Sequence, residues 1–188
     1  MPKRTFFNLS DDKRKKVYEA LLDVYKEKPF KDVTVREIVG KLGIPRGSFY
    51  QYFESLDESY FYVLGQELID VHESFAELVR ANDMEISKAL DEFGERAADE
   101  IFKDDCYMLY RNRYLGFDAG LEKEWREYIA ANGCGRETAA VAERETAAFI
   151  GAVIHSLIQR AFIESWSREE FAEHYRLHVG WIKRGIEK

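Results

Sequence analysis

Cysteine is scarce in this chain of 188 residues, represented by Cys106 and Cys134 alone. Two thiols are too few for a disulfide framework and fit a reducing compartment. Of the three prolines, Pro29 and Pro45 sit where helical patterns stop and start. Long apolar runs are missing: the stretch from Ala147 to Ile158 is short of a membrane span and contains His155 and Ser156. The opening residues, MPKRTFFNLSDDKRKK, lack the apolar segment of a secretory signal. The expected location is therefore the cytoplasm, with no membrane partner. Enzyme signatures are also missing. There is no Gly-rich phosphate loop, no G-x-S-x-G and no paired-histidine motif with its Glu base. These absences argue against an enzyme, and no cofactor is implied. No stretch alternates in the manner of a strand, so the fold class expected is all-α.

The net charge of −7 is unevenly spread. Residues 1–53 hold 12 Lys+Arg against 7 Asp+Glu, a balance of +5, whereas the remainder holds 16 against 28, a balance of −12. A basic head on an acidic body brings one end to phosphates and keeps the other away.

Within the head, residues 34–53 read TVREIVGKLGIPRGSFYQYF. Thr34 and Glu37 have the spacing of a capping box, in which each side chain takes a free backbone N–H at a helix start. Val35, Ile38, Val39 and Leu42 then make a single apolar stripe. Gly43 suits the left-handed position that ends a helix, and Pro45 suits the first turn of the next. That second helix is short and polar. Arg46 stands near its N-terminus, where an Arg reaches guanine O6 and N7. Gly47 leaves room for a close approach, and Ser48 and Gln51 share a face that can hydrogen-bond to bases. Thr34 and Arg36 are candidate phosphate clamps at the preceding helix start, while Phe49 and Phe53 anchor the core.

The run Gly43-Ile44-Pro45-Arg46-Gly47-Ser48-Phe49-Tyr50-Gln51-Tyr52-Phe53 resembles the helix-turn-helix signature of the TetR family of bacterial repressors. The resemblance covers about the first 60 residues. It implies that Tyr50 and Tyr52 turn their hydroxyls to phosphates or a ring to a thymine methyl. It also implies an N-terminal three-helix domain (1–54) joined by a long helix to a ligand-binding and dimerisation bundle (55–188). Two positions depart from the family pattern. Leu56 stands where a phosphate-binding Lys is usual, and Ser59 where an apolar residue is usual. Lys3 and Arg4 read as a disordered basic tail or a minor-groove arm.

The pattern predicts helices over residues 10–28, from Ser55 to about Arg80, and over 84–103, 105–116, 118–131, 137–165 and 168–187. Ser10 is the expected N-cap of the first, and Ser55 with Glu58 and Ser167 with Glu170 are further capping boxes. Tyr107, Tyr110, Tyr114 and Phe117 fall on one helical face, with Phe93, Phe102, Trp125 and Tyr128 in neighbouring segments; Arg111 and Arg113 lie close by, either to meet a ligand's negative group or to be solvated. Such a stripe is either packed core or the lining of a ligand cavity; three buried hydroxyls need partners, which favours the cavity. Ala148, Ala152 and Ser156, beside His155, recur at every fourth residue and allow close helix approach. Phe171, Tyr175, His178 and Ile182 form a large-side-chain stripe. By the family resemblance, the last two helices pair with those of a second copy. His174 and His178 lie one turn apart, but no third ligand is evident, so no metal is expected.

The implied function is a ligand-responsive repressor that binds a palindromic operator as a homodimer and is released or modulated by a small amphipathic or apolar effector. Two other readings stay open. One is a constitutive DNA-binding regulator without effector, and the other a small-molecule-binding helical protein.

Overall fold

The computed structural model describes residues 1–67, 71–132 and 141–186, and the elements within them are helical. The helices are α1 (Arg4–Phe7), α2 (Asp11–Glu27), α3 (Val35–Leu42), α4 (Arg46–Tyr52), α5 (Leu56–Glu67), α6 (Val71–Ala81), α7 (Ile86–Ile101), α8 (Asp104–Gly116), α9 (Ala119–Ala131), α10 (Val141–Ile163) and α11 (Arg168–Ile186). A 3-10 turn at Phe30–Asp32 links α2 to α3. The all-α expectation holds, with three-helix head α2–α4 at the N-terminal side. The helix expected from Ser55 to Arg80 is described as α5 and α6; residues 68–70 lie outside the described residues, as does Cys134.

Local chemistry sets most helix ends. At Thr34 the capping box is complete: Thr34 N donates to Glu37 Oε2 (2.8 Å), and Glu37 N to Thr34 Oγ1 (3.4 Å). Ser167 and Glu170 form the same reciprocal pair at 2.7 and 3.2 Å. At Ser55 only half of the box forms. Glu58 N donates to Ser55 Oγ (3.1 Å), while the Glu58 carboxylate takes the N–H of Glu54 (2.7 Å) instead. Ser10 stands at the N-cap of α2 without a side-chain cap bond. Gly43 adopts φ +64°, the left-handed conformation that lets the chain leave α3 and turn into α4.

The chain divides into two compact units. One takes in α1 to α5, α8 from Met108 onward, and α9; the other takes in α6, α7, the start of α8, α10 and α11. In the first unit, Phe6, Leu21, Tyr25, Ile38, Phe49, Phe53, Tyr60, Leu64 and Leu109 make the core, with Phe117, Trp125 and Tyr128 packed against it. Two polar arrangements are buried there. Tyr25 Oη lies 2.6 Å from Ser59 Oγ, and Ser59 Oγ donates to Leu56 O at 2.8 Å. Ser59, wholly buried, thus answers a tyrosine hydroxyl, which explains a polar residue at a position where an apolar one was the family norm. Asn112 Nδ2 donates to Tyr25 O and Lys26 O, both at 3.1 Å, closing carbonyls at the C-terminal end of α2.

In the second unit, Phe93, Ala97, Ile101, Leu157, Ile158, Phe171 and Tyr175 are buried. Tyr175 Oη donates to Leu90 O (2.8 Å), and the α7 backbone passes so close that a Cβ on Gly94 would lie 2.5 Å from the Tyr175 ring. One segment, Glu145–Ile163 of α10, is by length and composition apolar enough to cross a membrane, although Glu145, His155, Ser156 and Arg160 interrupt it. Ile150, Ile154, Leu157, Ile158, Ala161 and Phe162 along it are buried inside the protein, and α10 packs on α11 and α6. A core helix passes the same test.

Candidate nucleic-acid interface

The head offers a short helix on a packed base. Phe49 on α4 and Phe53 at its C-cap are buried at 1% and 0% exposure and hold that helix to the core. The opposite side of α4 is polar and open. Arg46, Gly47, Tyr50 and Gln51 are exposed, and Ser48 is half-buried. Arg46 Nη2 donates to Tyr50 Oη (3.5 Å) with the guanidinium carbon 6.0 Å from the Tyr50 ring centre, so the arginine rests on the tyrosine one turn ahead. A Cβ built on Gly47 would meet no heavy atom within 4 Å. Nothing inside the protein demands a glycine there. Tyr52 differs from the other expected contacts. It is half-buried, with its ring 6.3 Å from that of Phe6.

At the start of α3, Thr34 and Arg36 are exposed. Glu37 accepts from Lys28 and from the Thr34 backbone and hydroxyl, and the Lys28 hydrogen bond foremost holds its carboxyl below the usual range. Several other basic side chains are engaged within the head. Lys41 pairs with Asp23 (2.9 Å) and Glu27 (3.3 Å), and Arg14 with Asp11 (2.7 Å). Leu56, where the family pattern has a phosphate-binding Lys, is half-buried against the head core, so the position serves packing.

The disordered tail expected at Lys3 and Arg4 is not what the structure shows. Lys3 N donates to Tyr52 O (2.8 Å), Lys3 Nζ to Tyr50 O (3.0 Å), and Phe6 is fully buried. The Phe6-Phe7 pair inside a polar segment was the available sign that this stretch docks.

The expected ligand residues fall in both units. Phe93 (fully buried), Phe102 and Tyr107 belong to the second, where Tyr107 meets the rings of Phe102 (6.0 Å) and Phe162 (5.4 Å). Tyr110, Arg111, Tyr114, Phe117, Trp125 and Tyr128 belong to the first. There, Trp125 and Tyr128 stack at 6.0 Å beside Phe61, and burial pushes the Tyr128 phenol up to about 12. Tyr110 and Tyr114 are buried; Arg111 is half-buried. Arg113, not singled out in the sequence for the core, is 8% exposed, pairs with Glu122 (3.0 Å) and lies 3.9 Å above the Phe117 ring. A cleft of about 220 Å³ in the second unit is lined by Asp91, Gly94, Glu95, Tyr175, Arg176 and Lys183 among others, and by none of the expected ligand residues.

The dimer stripe on α11 requires correction. Phe171, Tyr175 and Ile182 are at most 7% exposed within a single chain, so they pack inward and leave no surface for a partner. Leu177 and Trp181 are the exposed large residues of α11, at 50% and 52%. On α10, Ala148, Ala152 and Ser156 are exposed and His155 is half-buried, and Phe149 and Ile163 are exposed with them. His174 stacks on Trp166 (4.0 Å between ring centres), and His178 Nδ1 donates to His174 O (2.8 Å). Among the described residues no His, Cys, Asp and Glu cluster has metal-site geometry.

Residues 17–58 match the family described as "Bacterial regulatory proteins, tetR family", and residues 86–185, more than half of the chain, match "Tetracyclin repressor, C-terminal domain". No curated protein matches the chain. Among solved structures, similarity extends to NalD of Pseudomonas aeruginosa, the secondary repressor of the MexAB-OprM multidrug efflux pump. That match has 15% identity, covers 90% of this chain and 95% of NalD, and has a TM-score of 0.65. A TetR family transcriptional regulator from Chloroflexus aurantiacus matches at 19% identity over 98% of each chain, with a TM-score of 0.54. The multidrug binding protein EbrR, in complex with imidazole, matches at 19% identity over 89% of each chain, also at 0.54. With a buried-anchor recognition helix after a left-handed glycine turn, and family matches over both its head and its C-terminal helices, the chain belongs to the TetR family of bacterial transcriptional regulators, which bind DNA and are not enzymes.

Proposed function

We propose that the protein is a homodimeric cytoplasmic repressor whose two heads occupy successive major grooves of a palindromic operator, and which a small amphipathic or apolar effector releases or modulates. The observation that carries the DNA part is the open polar face of α4. Arg46, Tyr50 and Gln51 stand exposed around a glycine with free space over it, on a helix pinned from behind by Phe49 and Phe53. Operator centres about 34–36 Å apart follow from two-fold symmetry.

Dimerisation is supported by the outward residues of α10 and α11. Phe149, Ala152, Ile163, Leu177 and Trp181 are exposed on one chain, and apolar side chains in that number need cover. The effector reading draws on the aromatic residues from Phe93 to Tyr128, and on NalD and EbrR as a repressor of a multidrug pump and a multidrug binder. The division of tasks would fall near residue 54, with residues 1–54 reading DNA and 55–188 regulating; the compact units follow packing instead. The close ring contacts of Phe93, Phe102 and Tyr107 favour the second reading, a constitutive regulator with a filled interior.

Footprinting the purified protein on the DNA beside its own gene tests the proposal. A protected near-palindrome, weakened by Arg46→Ala at one base position per half-site by about 1–3 kcal/mol, is the expected result. Equal losses on operator and random DNA would assign Arg46 to phosphate. For the effector, an apolar ligand that raises the melting temperature and lowers operator affinity together is expected from linkage. Tyr110→Phe should blunt both effects. A lowered melting point with an intact ligand-induced shift would make Tyr110 core.

A further inference from the structure

The C-terminal end of α4 is closed by residues far away in sequence. Three successive carbonyls, those of Tyr50, Gln51 and Tyr52, accept from Lys3 Nζ (3.0 Å), Thr5 Oγ1 and Lys3 N (2.8 Å). A helix leaves its last carbonyls without partners and carries partial negative charge there, so an ammonium and a hydroxyl are well suited to the place. A second tie holds the same segment. Phe6 is fully buried, with its ring 5.2 Å from Phe53 and 5.4 Å from Tyr62. Lys3 Nζ also pairs with Glu54 (2.8 Å), so its charge is used inside the protein.

Arg4 lies between the two anchors, Lys3 and Thr5. It is exposed, and its guanidinium has no acidic partner among the described residues. The residues on either side of it are bonded to the carbonyls of residues 50–52, Lys3 through its backbone N–H and its ammonium and Thr5 through its hydroxyl, and these residues include the exposed Tyr50 and Gln51. A free guanidinium fixed at the C-terminal end of the recognition helix is a phosphate ligand by its chemistry.

We propose that Arg4 is a further DNA-backbone contact, gripping a phosphate beyond the C-terminal end of α4, and that Lys3 and Thr5 are positioning residues that hold it there. The inference rests on the reading of the head as a DNA binder. It extends the binding surface from the helix-turn-helix to the short helix α1.

The test uses the full chain, a random-sequence duplex and the footprinted operator, with affinity followed against salt. Arg4→Ala should make the slope of log affinity against log salt shallower by about one unit on both duplexes, with an unchanged melting temperature. Arg4→Lys should restore the slope, because a phosphate accepts a point charge. Thr5→Val is charge-neutral and removes the bond to Gln51 O. It should lose part of the slope in the wild-type background and none in the Arg4→Ala background. An unchanged slope for Arg4→Ala, with Arg46→Ala still losing operator preference, would overturn the inference and leave the head reading standing. A loss confined to the operator would make Arg4 a base reader and also overturn it. No binding of the wild-type protein to either duplex would overturn both readings.

Discussion

Replacing Ser59 by alanine removes two buried hydrogen bonds from the head and tests whether that serine is there for Tyr25. In the wild-type protein, Ser59 Oγ contacts Tyr25 Oη at 2.6 Å and donates to Leu56 O at 2.8 Å; the phenol has a second, weaker bond to Leu56 O at 3.3 Å. Tyr25 is fully buried and no water reaches its hydroxyl. A buried polar group left short of partners costs about 1–3 kcal/mol. The surviving Leu56 contact trims this to about 1–2 kcal/mol, and the lost methyl-sized hydroxyl adds little cavity. For a chain of this length each kcal/mol moves the melting temperature by about 2–4 °C, so a fall of roughly 2–8 °C is expected. The diagnostic is the double variant. In a Tyr25→Phe background there is no phenol to strand, and Ser59→Ala should then cost about 1 kcal/mol less. Melting of the four proteins by circular dichroism gives the coupling directly. Equal costs of Ser59→Ala in both backgrounds would refute the pairing and return Ser59 to the status of an unexplained departure from the family pattern.

Gly94→Ala should destabilise the second unit by about 1–3 kcal/mol. Its Cβ would lie 2.5 Å from a buried Tyr175 ring tied to Leu90 O, and overpacking plus the strained bond outweigh the roughly 1 kcal/mol that alanine gains in a helix; Tyr175→Leu should remove most of the penalty. Alkaline titration should unfold the protein abruptly, because burial raises the phenols of Tyr25, Tyr60 and Tyr175 above their ordinary value. Their stabilisation is complete below the unfolded value of about 10 and falls by roughly 1.4 kcal/mol per pH unit for each phenol above it. Tyrosinate absorbance from these groups should therefore appear together with the loss of helical signal; a gradual rise in the still-folded protein would contradict the burial argument. Ala152→Trp should weaken the proposed dimer, as followed by sedimentation, and with it operator affinity, while helical content is kept, since Ala152 is exposed on a single chain. A dimer of unaltered affinity would place the interface elsewhere.

The sequence was most readable where structure is local. The stripe Val35-Ile38-Val39-Leu42, the Thr34–Glu37 box and Gly43 specify α3 and its exit within a dozen residues, and these features formed as expected. The long C-terminal helices were legible for the same reason, with the Ser167–Glu170 box marking the start of α11. Direction was harder. Helix α11 carries Phe171, Tyr175 and Ile182 on one side and Leu177 and Trp181 on another; both are large and apolar, and only the packing of α7 and α10 against α11 decides which turns inward. The N-terminal segment is not legible in this way, because its order comes from contacts such as Lys3 to Tyr50, 47 positions apart, which no local pattern records. Charge counting had a similar limit: Lys41 and Arg14 look available in the sequence, yet each has an acidic neighbour in space.

The empty space over Gly47 has a consequence for how this head can be altered. The residue lies in a helix, its φ is unstrained, and a Cβ would touch nothing in the protein. By folding criteria alone, alanine would be the better choice by about 0.5–1 kcal/mol. If the proposed DNA approach at Gly47 is right, folding and DNA recognition pull this one position in opposite directions, and they can be selected separately there. A library at residue 47 screened for thermal resistance should drift away from glycine, and the same library screened for operator occupancy should return to it, or settle on side chains that fit a different base step.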